Sequence, residues 1–312
     1  MNNGTVICDQ SRKITVYLEL GEGRMLGNIT CIGAGHMGQQ IALQCAVNGF
    51  NVSLFSRKKE GLGKAKSSIQ AFCLRLVHLK IIEQNQINEI VQRINFTTDL
   101  IEATSDSDIL IECVVEDLEI KRKLFKQLES ICPEKTIFCT NTSAIVPSKI
   151  ASVFNTPGRF IAVHFHTYVW EMNFVDIMPH PQTDPETLKV IKQFVIKIKQ
   201  IPIVMSKESA GYIFTALLSS LNNTAIKLAR EGVASVGEID KSWRAAMKMP
   251  MGPFGIMDYI GLDTLRDICQ YWGEERNDSE ALKNADYLNE FVSEGNLGIK
   301  SGKGFYDYTK KR

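Results

Sequence analysis

The sequence predicts an α/β fold, a mostly parallel and doubly wound sheet, followed by a smaller all-α C-terminal domain. Short apolar segments of strand type alternate with segments of helical spacing from residue 27 to about residue 206. That alternation is typical of a parallel sheet covered by helices. After residue 206 only helical patterns follow, and 312 residues are more than one compact core usually holds. We therefore expect an N-terminal extension over residues 1–26, an α/β domain over 27–206 and a helical domain over 207–312.

The elements of the α/β domain follow from the spacing of its apolar residues. Short runs rich in Ile, Val, Leu and Phe predict strands. Apolar residues that recur at helical spacing predict helices, as with Ile41 and Cys45. The predicted strands cover residues 28–32, 51–55, 94–97, 108–114, 136–140, 160–166, 174–178 and 202–205, and the predicted helices cover 36–48, 63–79, 83–93, 118–130 and 186–199.

The two ends of the chain carry simpler patterns. Residues 5–8 and 14–20 alternate as strands do and predict a short hairpin within the extension. Helical spacing alone marks the C-terminal part of the chain. The helices predicted there cover residues 210–231, 236–247, 264–272 and 286–294.

The composition excludes several classes of protein. Apolar residues make up 44% and charged residues 23%, an ordinary globular balance. The net charge of +1 gives no field that would attract nucleic acid or an anionic membrane, and no apolar run approaches the roughly 18 residues of a membrane span. Asp9, Arg12 and Lys13 interrupt the N-terminal segment, which therefore does not resemble a secretory signal. We expect a cytoplasmic protein without nucleic-acid or membrane partners.

The cysteine pattern fits a reducing compartment. The chain has eight cysteines, and none forms a C-x-x-C pair of the kind found in zinc ribbons and thioredoxin-like sites. Cys31, Cys113 and Cys139 lie within apolar runs of strand type. We interpret them as buried, reduced thiols.

A glycine-rich motif follows the first strand of the α/β domain and opens a helix. It matches G-x-G-x-x-G, the dinucleotide fingerprint, in the context that the fingerprint requires. Gly33 permits the tight turn, Gly35 lets the backbone approach the pyrophosphate, and Gly38 allows close helix–strand packing. The motif predicts a Rossmann-type domain that binds NAD(P). Its predicted cofactor-binding residues are Gly33, Gly35, His36, Met37 and Gly38.

The end of the second strand predicts which nicotinamide cofactor is preferred. NAD-binding sites usually carry an acidic residue there, which accepts a hydrogen bond from the ribose 2′-hydroxyl. This chain has Ser56 and Arg57 instead. A 2′-phosphate would attract the guanidinium and accept a hydrogen bond from the hydroxyl, so the sequence favours NADP. A solvated basic turn is the alternative interpretation.

Two strands near the middle of the chain predict a catalytic pair. If residues 160–166 and 174–178 pair about Trp170, then His164 and Asp176 face each other across the strands. A carboxylate beside an imidazole fixes its tautomer and makes it a better base. Oxidation of an alcohol needs such a base. The alternative is a buried structural pair.

A metal centre is a further alternative for the same strands. His164 and His166 share one strand face, and Asp176 and His180 are close in the sequence pattern. The dinucleotide fingerprint already accounts for the site, however. We therefore expect no metal.

Several ordered motifs over about residues 27–308 together resemble the L-3-hydroxyacyl-CoA dehydrogenase family. They include the fingerprint and the His164–Asp176 hairpin described above. The others are Asn141-Thr142-Ser143, Met251-Gly252-Pro253-Phe254 and the C-terminal Lys300-Ser301-Gly302-Lys303-Gly304-Phe305-Tyr306.

The resemblance implies a Rossmann domain followed by a helical domain that dimerises, so a homodimer through the C-terminal helices is expected. It implies that His164 is the base and that Asp176 supports it. It also implies that Ser143 contacts the substrate 3-oxygen, and that Glu116 and Lys121 lie near the nicotinamide. We add Asn141, from the matching motif, to the predicted cofactor site.

The chain departs from the family pattern at positions that shape the substrate pocket. Position 176 is Asp where the family has Glu, and Thr215 stands where the family has an active-site Asn. Ser219 and Asn222 share the predicted helix face of Thr215 and could compensate. Residues 167–168, Thr-Tyr, replace the Asn-Pro that follows the catalytic strand in the family.

These features rank the possible activities. Hydride transfer at C3 of a 3-hydroxyacyl or 3-oxoacyl thioester, on CoA or a carrier protein, comes first. A free 3-hydroxy acid comes second, because residues 178–185 resemble the gulonate dehydrogenase branch. A catalytically weak nucleotide-binding protein is the third possibility. A reductase of the 6-phosphogluconate type would carry a lysine early in the long helix, whereas the first lysine after Gly211 is Lys227.

Overall fold

The computed structural model describes residues 4–8, 14–20 and 24–309, with side chains from Leu26 onward. Contacts between Cα atoms divide the chain into two compact units, Met1–Tyr212 and Ile213–Arg312. The predicted domain limits at residues 26 and 206 stay predictions. Within the described residues, no helix is both long and apolar enough to span a membrane.

The first unit is built on an eight-stranded sheet, which confirms the predicted fold class. Its strands lie in the order β11-β10-β9-β8-β7-β4-β5-β6, and each pair of neighbours is parallel except β9 and β10. They are β4 (Asn28–Ile32), β5 (Asn51–Phe55), β6 (Ile94–Thr97), β7 (Ile109–Glu112), β8 (Ile137–Thr140), β9 (Phe160–Phe165), β10 (Phe174–Met178) and β11 (Ile201–Val204).

The N-terminal extension forms a second, separate sheet. β1 (Gly4–Cys8) and β2 (Ile14–Leu20) pair as the predicted antiparallel hairpin. A strand that the sequence pattern did not predict, β3 (Arg24–Leu26), pairs with β2. Residues 9–13, which connect the hairpin, lie outside the described residues.

The helices of the first unit cover the large sheet. Strands in this position are buried on both faces, which explains why β7 and β8 consist almost wholly of buried residues. The helices are α1 (His36–Val47), α2 (Lys59–His78), α3 (Ile87–Gln92), α4 (Leu100–Thr104), α5 (Leu118–Ile131), α6 (Pro147–Ala151) and α7 (Pro185–Lys197).

The second unit is helical and packs around its own core. Phe254, Met257, Leu262 and Leu288 are buried at the centre of this core. Its helices are α8 (Ile213–Arg230), α9 (Val236–Met247), α10 (Pro253–Ile260), α11 (Leu262–Arg276) and α12 (Ser279–Ser293).

The predicted start of the long helix was wrong by three residues. The sequence pattern placed the start at residue 210, but α8 begins at Ile213. Gly211 has a φ of +86° and Tyr212 a φ of +54°. An α-helix requires negative φ, so the chain cannot be helical at these two positions. The left-handed pair belongs instead to the end of the first unit.

The predicted and observed helices also differ in three short helices and in the start of α12. α4, α6 and α10 were not predicted, because five to eight residues are too few to show helical spacing clearly. α12 begins seven residues before its predicted start at residue 286. The Asp278 side chain accepts hydrogen bonds from the first backbone N–H groups of α12 and so sets its start.

Candidate active site

The fingerprint loop joins β4 to α1 in a conformation that depends on two glycines. Gly33 has a φ of +110°, and a Cβ there would lie 2.7 Å from the Cys113 carbonyl oxygen. A Cβ on Gly38 would lie 1.9 Å from the Gly33 carbonyl oxygen. Both positions therefore exclude any larger residue. By contrast, the Cβ position of Gly35 has no atom of the described residues within 4 Å.

The N-terminus of α1 offers the free backbone donors that a pyrophosphate needs. Gly35 is the N-cap, and no side chain of the described residues caps this helix end. Unpaired N–H groups and the positive end of the helix dipole attract phosphate. Together with the open face of Gly35, this arrangement fits a dinucleotide. β4 also lies between β5 and β7, where the strand order reverses and doubly wound folds bind nucleotides.

The predicted determinants of cofactor choice lie at the end of β5. The Gly33 N–H donates to the Phe55 carbonyl at 3.0 Å, so the fingerprint loop and the end of β5 are adjacent. Ser56 is half-buried and Arg57 is exposed. The guanidinium is therefore accessible to a ligand beside the fingerprint loop.

The histidine hairpin has the predicted register. β9 and β10 are antiparallel, and His164 pairs with Asp176. The loop that follows β9 is attached to the fingerprint helix. The buried Gln40 side chain accepts a hydrogen bond from the Tyr168 N–H at 2.7 Å, and its amide nitrogen lies 2.8 Å from the His36 ring nitrogen Nε2. The hairpin and the fingerprint helix are thus held in one arrangement.

The Asp176 carboxylate lies between two histidines and is fully buried. Its Oδ2 lies 3.0 Å from His166 Nε2 and 3.5 Å from His164 Nδ1. A carboxylate only accepts hydrogen bonds, so the ring nitrogens that face it carry the protons. His164 Nδ1 is then the protonated nitrogen, and Nε2 keeps the lone pair that a base requires.

A tyrosine packs against the face of the His164 ring. The rings of His164 and Tyr212 stack with centroids 4.6 Å apart and planes 12° apart. The Tyr212 hydroxyl donates to the Thr142 carbonyl at 2.9 Å. Burial raises the pKa of Tyr212, so the hydroxyl stays a donor. The ring of the predicted base is therefore fixed by a stacking contact as well as by a carboxylate.

Burial and hydrogen bonding have opposite effects on the pKa values of His164 and Asp176. Burial lowers the pKa of His164, although the hydrogen bond to Asp176 opposes it. Burial alone would raise the pKa of Asp176, but the hydrogen bonds from His164 and His166 hold it below the ordinary value. The imidazole is thus neutral and the carboxylate ionised near neutral pH, as a general base and its supporting anion must be.

Glu116 organises the loop that carries the predicted serine. Its carboxylate accepts from the Thr142 hydroxyl, from the Ser143 N–H at 3.0 Å and from the Ala144 N–H at 2.9 Å. Burial would raise the pKa of Glu116, but these bonds and the Lys121 ammonium hold it low. The Ser143 side chain is exposed, as a substrate-binding hydroxyl must be.

Lys121 supports this loop from within the protein. Its side chain is 1% exposed, and the ammonium lies 2.7 Å from Glu112 Oε1 and 3.3 Å from Glu116 Oε2. Glu112 also accepts from the Thr140 hydroxyl at 2.6 Å. Lys121 therefore acts on the site through Glu116, since its buried amine is not available to a bound molecule.

Asn141 connects the same loop to β9. Its side-chain oxygen accepts a hydrogen bond from the Phe165 N–H at 2.8 Å. The predicted Asn141 and Ser143 thus lie in a loop bonded to both β9 and Glu116. Thr215, Ser219 and Asn222 lie on α8 in the second unit, where Asn222 is buried.

The alternative of a metal centre concerns the same hairpin. Among the described residues, three side chains of metal-binding type lie close enough together to share an ion: His164, His166 and Asp176. Their ligand atoms lie within 4.8 Å of one another. His180 is not a member, since its ring contacts the Pro157 carbonyl at 3.1 Å. The absence of a metal stays a prediction.

Three residues of the site were not identified from the sequence. Glu112 was included in a predicted strand without a role, Thr142 was noted only as part of a motif, and Tyr212 was assigned to a helix. An acidic residue at the end of a wholly apolar strand is the signal that could have identified Glu112, because a buried carboxylate needs a partner.

The cysteines agree with the predicted reduced thiols where the structure describes them. Cys31 and Cys139 are buried, Cys113 is half-buried, and all three are free. Burial raises the pKa of each of these thiols. They are therefore unreactive and contribute to packing.

Comparison with known proteins gives matches over nearly the whole chain. Residues 28–209 match the family model described as 3-hydroxyacyl-CoA dehydrogenase, NAD binding domain. Residues 211–308 match the model of the C-terminal domain of the same family. A probable 3-hydroxybutyryl-CoA dehydrogenase from Deinococcus radiodurans is 35% identical over 277 residues, which cover 89% of this chain and 98% of that protein.

Solved structures show the same relationship. One is the structure of a diketoreductase that carries out substrate-directed dual catalysis of dicarbonyl compounds. It has a TM-score of 0.85 and 34% sequence identity, and the match covers 91% of this chain and 99% of that one. An (S)-3-hydroxybutyryl-CoA dehydrogenase from Ralstonia eutropha has a TM-score of 0.81 and 30% identity, and the match covers 91% of this chain and all of that one.

Proposed function

This chain belongs to the 3-hydroxyacyl-CoA dehydrogenase family, and we propose that it transfers hydride between NADP(H) and C3 of a 3-hydroxyacyl-CoA, with His164 as the base. It is an oxidoreductase with a nicotinamide-binding domain. The observation that carries the catalytic part of the proposal is the buried His164 ring, which stacks on Tyr212 and faces the Asp176 carboxylate with Nδ1.

Each of His164, Asp176 and Ser143 would have a separate role in the reaction. An oxidised nicotinamide, when bound at the fingerprint loop, would supply the acceptor for the hydride that leaves C3. His164 Nε2 takes the proton of the 3-hydroxyl, and Asp176 stabilises the imidazolium that results. The Ser143 hydroxyl would hold the 3-oxygen. In the reverse direction the imidazolium returns its proton to that oxygen.

A steady-state assay tests this proposal. NADPH and NADH are each offered with acetoacetyl-CoA and, separately, with free keto acids and diketones. Turnover of acetoacetyl-CoA with the highest kcat/KM of the panel is the expected result. No turnover of acetoacetyl-CoA, with activity on another member of the panel, would contradict it.

A dicarbonyl compound or a free hydroxy acid is the second candidate substrate. The match to the diketoreductase structure favours it, as does the segment at residues 178–185 that resembles the gulonate dehydrogenase branch. The panel described above separates this candidate from the first.

Cofactor preference should depend on Arg57. The unaltered protein should bind NADPH more tightly than NADH, because the guanidinium is free to pair with a 2′-phosphate. Arg57→Asp should reverse the preference, with NADPH affinity falling at least about tenfold, since a hydrogen bond to a charged group contributes about 1.5–3 kcal/mol. Fluorescence titration with both cofactors measures this. Lys58→Asp makes the same charge change one residue away and serves as the control. Tighter NADH binding by the unaltered protein would refute the NADP preference.

Thr215 should limit the rate with ordinary 3-oxoacyl-CoA substrates. The family carries an amide at this position, and one donor to a developing oxyanion can change the rate by about 100-fold. Thr215→Asn should therefore raise kcat with acetoacetyl-CoA, by up to that factor. Thr224→Asn makes the same change elsewhere on α8 and should have no effect. Unchanged turnover in the first variant, together with rapid oxidation of a free hydroxy acid, would favour the second candidate.

The remaining features of the proposal concern assembly and location. We propose a homodimer through the C-terminal helices, supported by large apolar side chains exposed on that unit, among them Leu217 and Met247. A cytoplasmic location stays a prediction.

A further inference from the structure

We propose that His166 is a positioning residue for this reaction, because it shares the Asp176 carboxylate with His164. This sharing makes His164 a weaker base than it would be if it were the only histidine in contact with that carboxylate. The inference rests on the proposed role of His164 as the base. It assigns to His166 a function in setting the pH at which the enzyme works.

The contacts show that the sharing is unequal. Both rings approach the same oxygen, Asp176 Oδ2, and His166 is closer, at 3.0 Å against 3.5 Å for His164. The other oxygen, Oδ1, is buried and has no hydrogen-bond partner among the described residues. The carboxylate is therefore oriented by His166 at least as strongly as by His164.

The fold keeps His166 in this place. Side chains two residues apart along an extended chain point to the same side, so His166, which directly follows β9, lies beside His164. Their ring centroids are 4.6 Å apart. The Phe174 ring packs against His166 with centroids 4.2 Å apart. His166 is 9% exposed, and its contact with Asp176 is thus a fixed feature of the buried site.

Competition for one carboxylate oxygen lowers the support that each imidazole receives. A hydrogen bond to an anion is strongest when the anion has few other donors, and this oxygen has two. The charged and titratable groups that face His164 are Asp176 on β10, His166 directly after β9, and Glu116 in the segment before α5. Asp176 and Glu116 raise the pKa of His164, whereas His166 lowers it. Tyr212, which stacks on the His164 ring, remains neutral because burial raises its pKa.

The protonation state of His164 limits the two directions of the reaction at opposite ends of the pH range. Oxidation needs neutral His164 and is lost as pH falls through its pKa. Reduction needs protonated His164 and is lost as pH rises through the same pKa. Removal of His166 should raise that pKa, so both limits should move to higher pH. A merely structural defect would lower the maximal rates of oxidation and reduction without moving the pH limit of either.

The test combines histidine titration with kinetics. The chain has five histidines, few enough to follow individually by NMR in protein labelled with ¹⁵N-histidine. The His164 signals are assigned by their loss in His164→Gln. The variants are His166→Phe and His166→Leu, which lack a donor, and His166→Gln, which keeps one. EDTA is present throughout to exclude metal binding at the three side chains.

We expect the His164 titration to move to higher pH by about one unit in His166→Phe and His166→Leu, which is a tenfold change in protonation ratio. In His166→Gln the titration should stay close to that of the unaltered protein. The acid limit of oxidation and the basic limit of reduction should follow the titration.

An unchanged or lowered His164 titration in the two donor-free variants would overturn the proposal. His166→Leu serves in place of His166→Phe if the larger ring prevents folding. Because the NMR titration needs no turnover, it also separates this proposal from the proposed function. A shifted titration in a protein that turns over no 3-oxoacyl-CoA would support the role of His166 and refute the substrate assignment.

Discussion

Replacement of His164 by glutamine should lower kcat at least about 100-fold in both directions, which is the smallest contribution usually measured for a general acid–base residue. Glutamine has a similar length and can still donate to Asp176, so the packing against Tyr212 should survive. It cannot take a proton from the 3-hydroxyl. Cofactor affinity should not change, because α1 contacts the loop of the hairpin through Gln40 and Met37 and not through His164.

The control for this variant is another buried histidine of the same unit. His180 is 5% exposed, and its ring contacts the Pro157 carbonyl, away from Asp176. His180→Gln should therefore keep kcat within a few-fold of the unaltered protein. Steady-state kinetics in both directions and a cofactor titration provide the comparison. Full activity in His164→Gln would place the chemistry elsewhere.

Replacement of Lys121 by methionine should destabilise the protein by about 3–5 kcal/mol, the cost usually observed when one partner of a buried ion pair is removed. Methionine is of similar length and leaves the Glu112 carboxylate buried without its cation. Burial already raises the pKa of Glu112 against the opposing charge of Lys121. Without the ammonium this pKa should rise further.

The loss of stability should therefore depend on pH. A carboxyl group whose folded pKa lies above its unfolded value binds a proton more tightly in the folded protein, so that protonation stabilises the fold. The difference between Lys121→Met and the unaltered protein should be smaller at acid pH than at pH 8. Urea unfolding at both pH values measures the difference. Lys126→Met, an exposed lysine on the same helix, is the control. A destabilisation below about 1 kcal/mol at pH 8 would show that the pair is not the support inferred above.

Much of the site could be predicted because it depends on short-range patterns. The strand alternation around Trp170 was sufficient to pair His164 with Asp176, since the register of a hairpin follows from its turn and its buried face. The glycine spacing at residues 33–38 predicted the conformation of the cofactor loop for the same reason. In both places a few neighbouring residues determine the geometry.

The rest of the site depends on contacts between distant segments, which sequence patterns do not show. Tyr212 stacks on His164 because two consecutive left-handed residues end the first unit, and an apolar helical pattern gave no sign of them. Lys121 reaches Glu112 only because α5 packs against β7. His166 was considered only as a metal ligand, since the unequal sharing of Asp176 Oδ2 is visible only as distances.

The most direct test of the account follows the hydride itself. The protein is incubated with acetoacetyl-CoA and reduced cofactor that carries deuterium at both C4 positions of the nicotinamide, and the acyl product is analysed by mass spectrometry. The account predicts 3-hydroxybutyryl-CoA with one deuterium at C3, and at least about 100-fold less of it with His164→Gln. A thioester that remains unreduced and unlabelled, while a free keto acid or a diketone takes up the deuterium, would contradict it.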